Sequence, residues 1–290
     1  MKNPSIFILA IAFLLPMPQL QAGGWPQPKG NGYFKLSEWW LVADQHYTDQ
    51  GLIDPNQTTG LFNTTLYAEY GLTDRLTVVF NMPLFSRSYF NNQVSFTTGE
   101  VLIPGEAINS VGDADLGFRY GFLNKGGWAA SASVILGIPL GEDSGGPSGV
   151  LQTGDGEFNQ IVRLDLGRGF SIGSAEAFAN IYAAFNNRTN EFSDEYRFGI
   201  EGGATFLNKK ITAVARLYGI RSLRNGTLPS EGITGTSIFA NNSEFLAFSP
   251  EIAYNINDKW GVSAGFGKAL SGKIIFANTS YSVGVFMKLQ

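Results

Sequence analysis

The 290-residue chain contains no cysteine, so it has neither a disulfide nor a lipid-modified thiol. Charge is sparse and nearly balanced, with 24 acids against 20 bases and a net charge of −4. Without a basic surplus, nucleic acid is excluded as an expected partner. Beyond residue 22 no apolar run is long enough to cross a bilayer as a helix. No Gly-x-Ser-x-Gly elbow occurs, and Gly145-Gly-Pro-Ser-Gly149 is not fed by a strand into a helix as a phosphate-binding loop would be. No motif for an enzyme or a cofactor is present, and the expectation is a non-enzyme without cofactor or metal.

What the chain does have is alternation. In Asp113-Ala-Asp-Leu-Gly-Phe-Arg-Tyr-Gly-Phe122, Ala114, Leu116, Phe118, Tyr120 and Phe122 fall on one face of a strand, and Asp113, Asp115, Gly117, Arg119 and Gly121 on the other. From Glu195 to Phe206, Tyr196, Phe198, Ile200, Ala204 and Phe206 oppose Glu195, Arg197, Glu201 and Gly203. A sandwich would bury the aromatic face. Recurrence along nearly the whole chain, with 36 glycines and 13% aromatics, predicts instead an all-β transmembrane antiparallel β-barrel with lipid outside and water inside.

Residues 1–22 read as a cleaved signal peptide. Lys2 supplies the basic start, Ile6 to Leu15 a short apolar stretch, and Pro16-Met-Pro-Gln-Leu-Gln-Ala22 the approach to a cut. Leu20 is larger than the ideal residue three before the cut. Residues 23–290 then form one barrel domain, opening on a short extended tail, Gly23 to Lys29, too small for a plug domain.

Turn-forming stretches at Gly71 to Arg75, Asn124 to Gly127, Leu166 to Gly169, Leu207 to Lys210 and Asn255 to Lys259 alternate with long polar ones near 48–58, 91–111, 141–151, 188–192, 225–243 and 270–277. Five turns and six loops join twelve strands, near 32–47, 59–70, 76–90, 112–122, 128–140, 152–165, 170–187, 193–206, 211–224, 244–254, 260–269 and 278–289. Both termini fall on the short-turn side. Tyr70, Phe122, Trp128, Phe170, Phe206, Tyr254 and Trp260 stand beside those turns, as an interfacial aromatic girdle requires. The apolar register is expected to exclude charge. The first strand is mixed, with Lys35 on one face and Glu38 and Asp44 on the other, and Pro250 suggests a local bulge.

Several stretches carry a family likeness: Leu66-Tyr-Ala-Glu-Tyr-Gly-Leu-Thr-Asp-Arg-Leu-Thr-Val-Val-Phe-Asn-Met-Pro-Leu84, Val111 to Tyr120, and Leu136-Gly-Ile-Pro-Leu-Gly-Glu-Asp143. In order and over most of residues 23–290, the chain resembles the outer-membrane family named for the meta-pathway of phenol degradation. The resemblance implies a transporter-like barrel in the outer membrane of a Gram-negative bacterium, conducting small aromatic or hydrophobic solutes, with no catalytic motif. Its partners would be outer-membrane lipids and the barrel-insertion machinery. One departure is the ending Phe286-Met-Lys-Leu-Gln290, which lacks the terminal aromatic that many such barrels present to that machinery.

The polar register nominates lumen-lining residues: Glu69, Asp113, Asp115, Arg119, Glu157, Arg163, Glu195, Arg197, Glu201, Arg216 and Glu251, with Asp165 and Glu176 beside them. Paired across neighbouring strands, they would form either a selective constriction or a salt-bridged plug. Asp113 and Asp115, two carboxylates on one side, read as lumen lining before a cation site. His46 reads as a polar residue entering a loop; a barrel enzyme built on it, or a non-conducting scaffold or adhesin, are the competing functions. The loop from Asn91 to Ser110, with Val101-Leu-Ile-Pro104 and Ala107-Ile108, is expected to fold into the mouth as a lid.

Overall fold

A computed structural model describes residues 23–228 and 237–290; the expected signal peptide and residues 229–236 of the Asn225 to Asn242 loop lie outside the described residues. The strands are β1 (Gly32–Tyr47), β2 (Ile53–Gly71), β3 (Leu76–Phe90), β4 (Gln93–Val94), β5 (Val101–Ile103), β6 (Glu106–Ser110), β7 (Ala114–Lys125), β8 (Trp128–Ile138), β9 (Asn159–Ile172), β10 (Ala175–Asn187), β11 (Glu195–Phe206), β12 (Ile211–Ser222), β13 (Glu244–Asn255), β14 (Trp260–Lys273), β15 (Ile275–Phe276) and β16 (Ser280–Leu289). Twelve of them, β1, β2, β3, β7 to β14 and β16, form a closed antiparallel ring. The seam lies on β1, which pairs with β2 from Gly32↔Tyr70 and with β16 from Gly32↔Leu289. Closure leaves no open edge, so the backbone groups of the wall are satisfied by neighbouring strands.

The two faces of the wall are inverted relative to a soluble protein. Phe118, Leu164, Ile181 and Ile200 are exposed, at 44%, 57%, 52% and 54%, whereas Thr77, Ser131, Asn180 and Asp165 are at most 4% exposed. All seven girdle aromatics named above are exposed on the outside. Such an apolar exterior needs hydrocarbon around it, and the polar interior needs partners within the ring.

Hairpin chemistry matches the short turns. Gly126 and Gly127 both have positive φ (61° and 80°) between the paired Lys125 and Trp128, the geometry a two-residue hairpin favours. The turn expected at Leu166 to Gly169 is not there. β9 runs on through Ile172 and turns at Gly173, because Gly167 and Gly169 continue the inward register. The strand expected from 152 begins only at Asn159, since the residues before it are held in the rim described below. Pro250 sits in no bulge: it pairs with Ala215, the ladder to β14 skips Ser249 and Pro250 without changing register, and the shift lies at Leu246/Ala247.

The expected lid is also different. β6 extends the wall by pairing with β3, and β4 and β5 form a small hairpin. Its tip residue Phe96 is fully exposed and Val101, Leu102 and Ile103 are about half exposed, so the hairpin does not bury its apolar side chains in the mouth as a lid would, although Ile103 borders it. The mixed first strand resolves by register: Lys35 faces the lumen and Glu38 the outside, paired with Thr64 and Val283. Thr64 donates to the Glu38 carboxylate at 2.6 Å. Thr64 is six residues from Tyr70 of the girdle, which puts Glu38 roughly 15 Å above it, mid-depth in a belt about 25 Å tall. The apolar register therefore does carry an acid, against expectation.

Candidate functional site

The segment expected to trail as a tail instead enters the barrel at the short-turn end. Trp25, Pro26 and Gln27 are buried. Pro26 and Pro28 fix φ and hold the residues before them extended, so this strap makes no ladder of its own. Side chains of the wall satisfy it instead. The Gln27 backbone N–H donates to Thr77 Oγ1 at 2.7 Å, and its Nε2 donates to Glu69 Oε2 at 2.8 Å. The Gly24 N–H donates to Asn180 Oδ1 at 3.2 Å, and Arg119 Nη1 to the Trp25 carbonyl at 3.4 Å. Trp25 meets Phe178 edge-on, ring centroids 6.4 Å apart.

The wall is cut back where the strap lies. A Cβ on Gly167 would come within 2.4 Å of the Trp25 ring, one on Gly121 within 2.7 Å of Pro26, and one on Gly71 within 2.1 Å of the Pro28 carbonyl oxygen. Three glycines near the short-turn ends of three different strands thus make the seat.

Beside the strap, and reaching the short-turn end at Asn257, Asp258 and Gln290, lies a cavity of about 1190 Å³, bordered by Tyr33, Tyr67, Tyr182, Tyr218, Phe286 and a set of paired ions. Glu69 accepts from the Tyr67 hydroxyl and bridges Arg119 at 3.1 Å. Arg163 grips Asp165 with Nε and Nη2 at 2.8 and 2.7 Å and lies 3.8 Å over the Tyr182 ring. Arg216 stands between Glu201 and Glu251, and Glu251 also takes Lys35. Bidentate and shared pairs of this kind fix side chains that would otherwise sweep the bore. Glu176 borders the same cavity and pairs with Lys209 at 3.2 Å. Among the described residues, the Asp115 carboxylate accepts only from Asn81 Nδ2, at 3.5 Å.

Five of the nominated residues do not border this cavity: Asp115 and Arg197 lie on the wall beyond it, and three sit at the mouth. Asp113, Glu157 and Glu195 lie at the long-loop rim, where Arg188 gathers acids from separate segments: Asp155 at 3.3 Å, Glu195 at 2.8 Å, and Glu157. Arg197 adds a bridge to Glu195 at 2.9 Å. Asp113 accepts the N–H groups of Leu140, Gly141 and Asp155, which accounts for its carboxylate without a cation. Burial raises the Asp113 carboxyl above its ordinary range, and burial pushes that of Glu157 up to about 8 against the pull of Arg188. Arg188 was not singled out in the sequence, where it reads as part of a polar loop. A second cavity of about 530 Å³ at this end is bordered by Leu61, Phe90, Ile103, Leu151 and Phe276.

The His46 side chain makes no hydrogen bond among the described residues, and its Nδ1 is buried without a partner. Among the described residues, no nucleophile is hydrogen-bonded to it.

A closed twelve-stranded ring with an apolar exterior and an ion-paired interior is the architecture of an outer-membrane β-barrel. Among solved structures, the chain is similar to the COG4313 outer membrane channel from Pseudomonas putida F1, at 16% identity over 93% of this chain and 100% of that one, with a TM-score of 0.58. It also matches the NanC porin (6% identity, 89% and 99% covered, TM-score 0.46) and the translocator domain of the autotransporter NalP from Neisseria meningitidis (11%, 91% and 89%, TM-score 0.46). No family model matches the sequence, and no curated protein does.

Proposed function

We propose that the protein is a channel of the Gram-negative outer membrane that lets small solutes, aromatic and other hydrophobic compounds among them, diffuse down their gradients. The observation that carries this reading is the cavity of about 1190 Å³ within the ring, walled by tyrosines and paired ions. The likeness to the COG4313 channel accords with it at the level of the fold. The apolar mouth cavity suits a poorly soluble compound on arrival, and the ringed cavity below offers faces for aromatic contact and fixed charges for a polar substituent. The short-turn end, with the strap, faces the periplasm, and the strap is the barrier over the part of the exit walled by β2, β3, β7 and β10, narrowing the bore there. The belt requires outer-membrane lipid, and the barrel requires insertion machinery to reach it. The movement in this reading is passive.

The test is single-channel recording in planar bilayers with the purified protein, with and without residues 24–29. Discrete steps that phenols and aromatic acids block more strongly than sugars of equal size support the reading. Silence from both forms refutes it and favours a non-conducting scaffold or adhesin, a reading that the exposed Phe96 hairpin tip supports.

A further inference from the structure

The strap narrows the exit on the side of β2, β3, β7 and β10, so a solute leaving the cavity passes the wall across from it. That wall carries Lys288 of β16 and Asn255 of β13, and both border the cavity. Asn255 Nδ2 donates to the Lys209 carbonyl at 2.6 Å, which leaves its Oδ1 to accept from Lys288 Nζ at 2.8 Å. Lys288 forms no ion pair among the described residues. Asp258, on the exposed turn between β13 and β14, borders the same opening but does not reach it.

The other bases of the border are engaged: Lys35, Arg119, Arg163, Lys209 and Arg216 each hold an acid. Glu69, Glu176, Glu201 and Glu251 are thereby used. The hydroxyls of Tyr33, Tyr182 and Tyr218 border the cavity and have no acceptor among the described residues. The surplus of the cavity is therefore in donors, an ammonium above all, and a solute that satisfies it is an anion. The wall beside that ammonium is aromatic. Tyr33 stands directly across from Lys288 in the ladder of β1 and β16. Lys288 Nζ lies 5.5 Å from the centroid of Phe286, which stacks on Tyr33 at 5.7 Å, and Tyr33 meets Tyr67 edge-on at 6.3 Å. Phe286 is set back in the wall because Gly261 leaves room for it: a Cβ there would come 2.1 Å from the ring.

We infer that this corner binds an aromatic carboxylate, with its ring against Tyr33 and Tyr67 and its carboxylate on Lys288, Asn255 positioning the ammonium. A neutral phenol or alcohol of the same size offers the ring without the charge. As a selector of cargo the site rests on the channel reading; as a binding site it does not.

The test is equilibrium dialysis of radiolabelled benzoate and benzyl alcohol near pH 7, where benzoate is ionised, with the full purified protein in nonionic detergent against matched empty micelles. Benzoate is expected to bind at least about tenfold more tightly than the alcohol, the worth of one charge-assisted hydrogen bond. Lys288→Gln is expected to abolish the preference while leaving the alcohol unaffected, and Lys288→Arg to retain it. Equal affinities in wild-type protein, or binding of neither compound, overturn the proposal whether or not the variants fold. A preference that survives in Lys288→Gln with a normal heat-modifiable gel shift overturns the role of Lys288. Dialysis does not depend on conductance: a silent barrel that prefers benzoate refutes the channel and leaves this site standing, and a conducting barrel without the preference does the reverse.

Discussion

Replacing Trp25 with alanine is expected to release the strap while leaving the barrel closed. The indole is 5% exposed and packs against Phe178, Ala129 and the bare backbone of Gly167, none of which can move in to fill its place without bending the wall. Truncation of a buried tryptophan to alanine costs about 3–5 kcal/mol. The twelve-stranded ring does not use Trp25 for pairing, so that loss falls on docking of the strap. At one tenfold step per 1.4 kcal/mol, the docked-to-undocked ratio falls by about a hundredfold to a few thousandfold. In planar bilayers, wild-type protein should spend most of its time at a low conductance with rare larger steps. Trp25→Ala should dwell far longer at the larger step, and deletion of residues 24–29 should hold it there permanently. If deletion leaves the conductance and its fluctuations unchanged, the strap is not the barrier and the reasoning fails.

The seat can be tested from the other side. Gly167→Ala places a methyl where the Trp25 ring now lies, so it should reproduce the open-state dwell of Trp25→Ala with normal folding, measured as the heat-modifiable gel shift of the barrel. Glu38→Leu should stabilise the barrel by about 1 kcal/mol in urea titrations in lipid, since an acid leaves mid-bilayer at the loss of one threonine hydrogen bond; destabilisation would mean that Glu38 does not face lipid. Arg188→Ala leaves Asp155, Glu157 and Glu195 crowded without their shared cation, so residues 141–157 should be cut faster by an added protease while the wall resists. The rim should also loosen with alkali. A Glu157 carboxyl raised to about 8 keeps its proton in the folded rim after the unfolded one has lost it, so its contribution is complete at acid pH and disappears as pH rises to 8. Cleavage of that loop at pH 9 relative to pH 6 should exceed the change seen in Glu157→Gln, and an identical pH response in the two would refute it.

The ring was legible in the sequence because its signal is local. A period of two, repeated strand after strand, needs only neighbours, and turns such as Lys125-Gly-Gly-Trp128 announce themselves by residues that accept positive φ. The strap was not legible, because seven residues with two prolines have no period, and their seat is assembled from Gly71, Gly121 and Gly167, far apart in the chain. Gly167 and Gly169 misled for the same reason: beside leucine and arginine they read as a turn, whereas they are wall positions that make room for Trp25. The charges of the polar face were readable one by one, but their grouping was not. Arg188 meets Asp155 and Glu157 across 33 and 31 positions of sequence, and only closure of the loops brings them to one guanidinium. The lid expectation rested on apolar side chains between Val101 and Ala107, and a short hairpin satisfies the backbone there without burying them.

The seat has a consequence for descent. Strap and wall are complementary in the way of tenon and mortise: a side chain at 71, 121 or 167 leaves the tryptophan and prolines nowhere to lie, and a missing tryptophan leaves a hole in the bore. Related barrels should therefore gain or lose the two together, so that bulky residues at these three wall positions mark chains whose amino terminus stays outside.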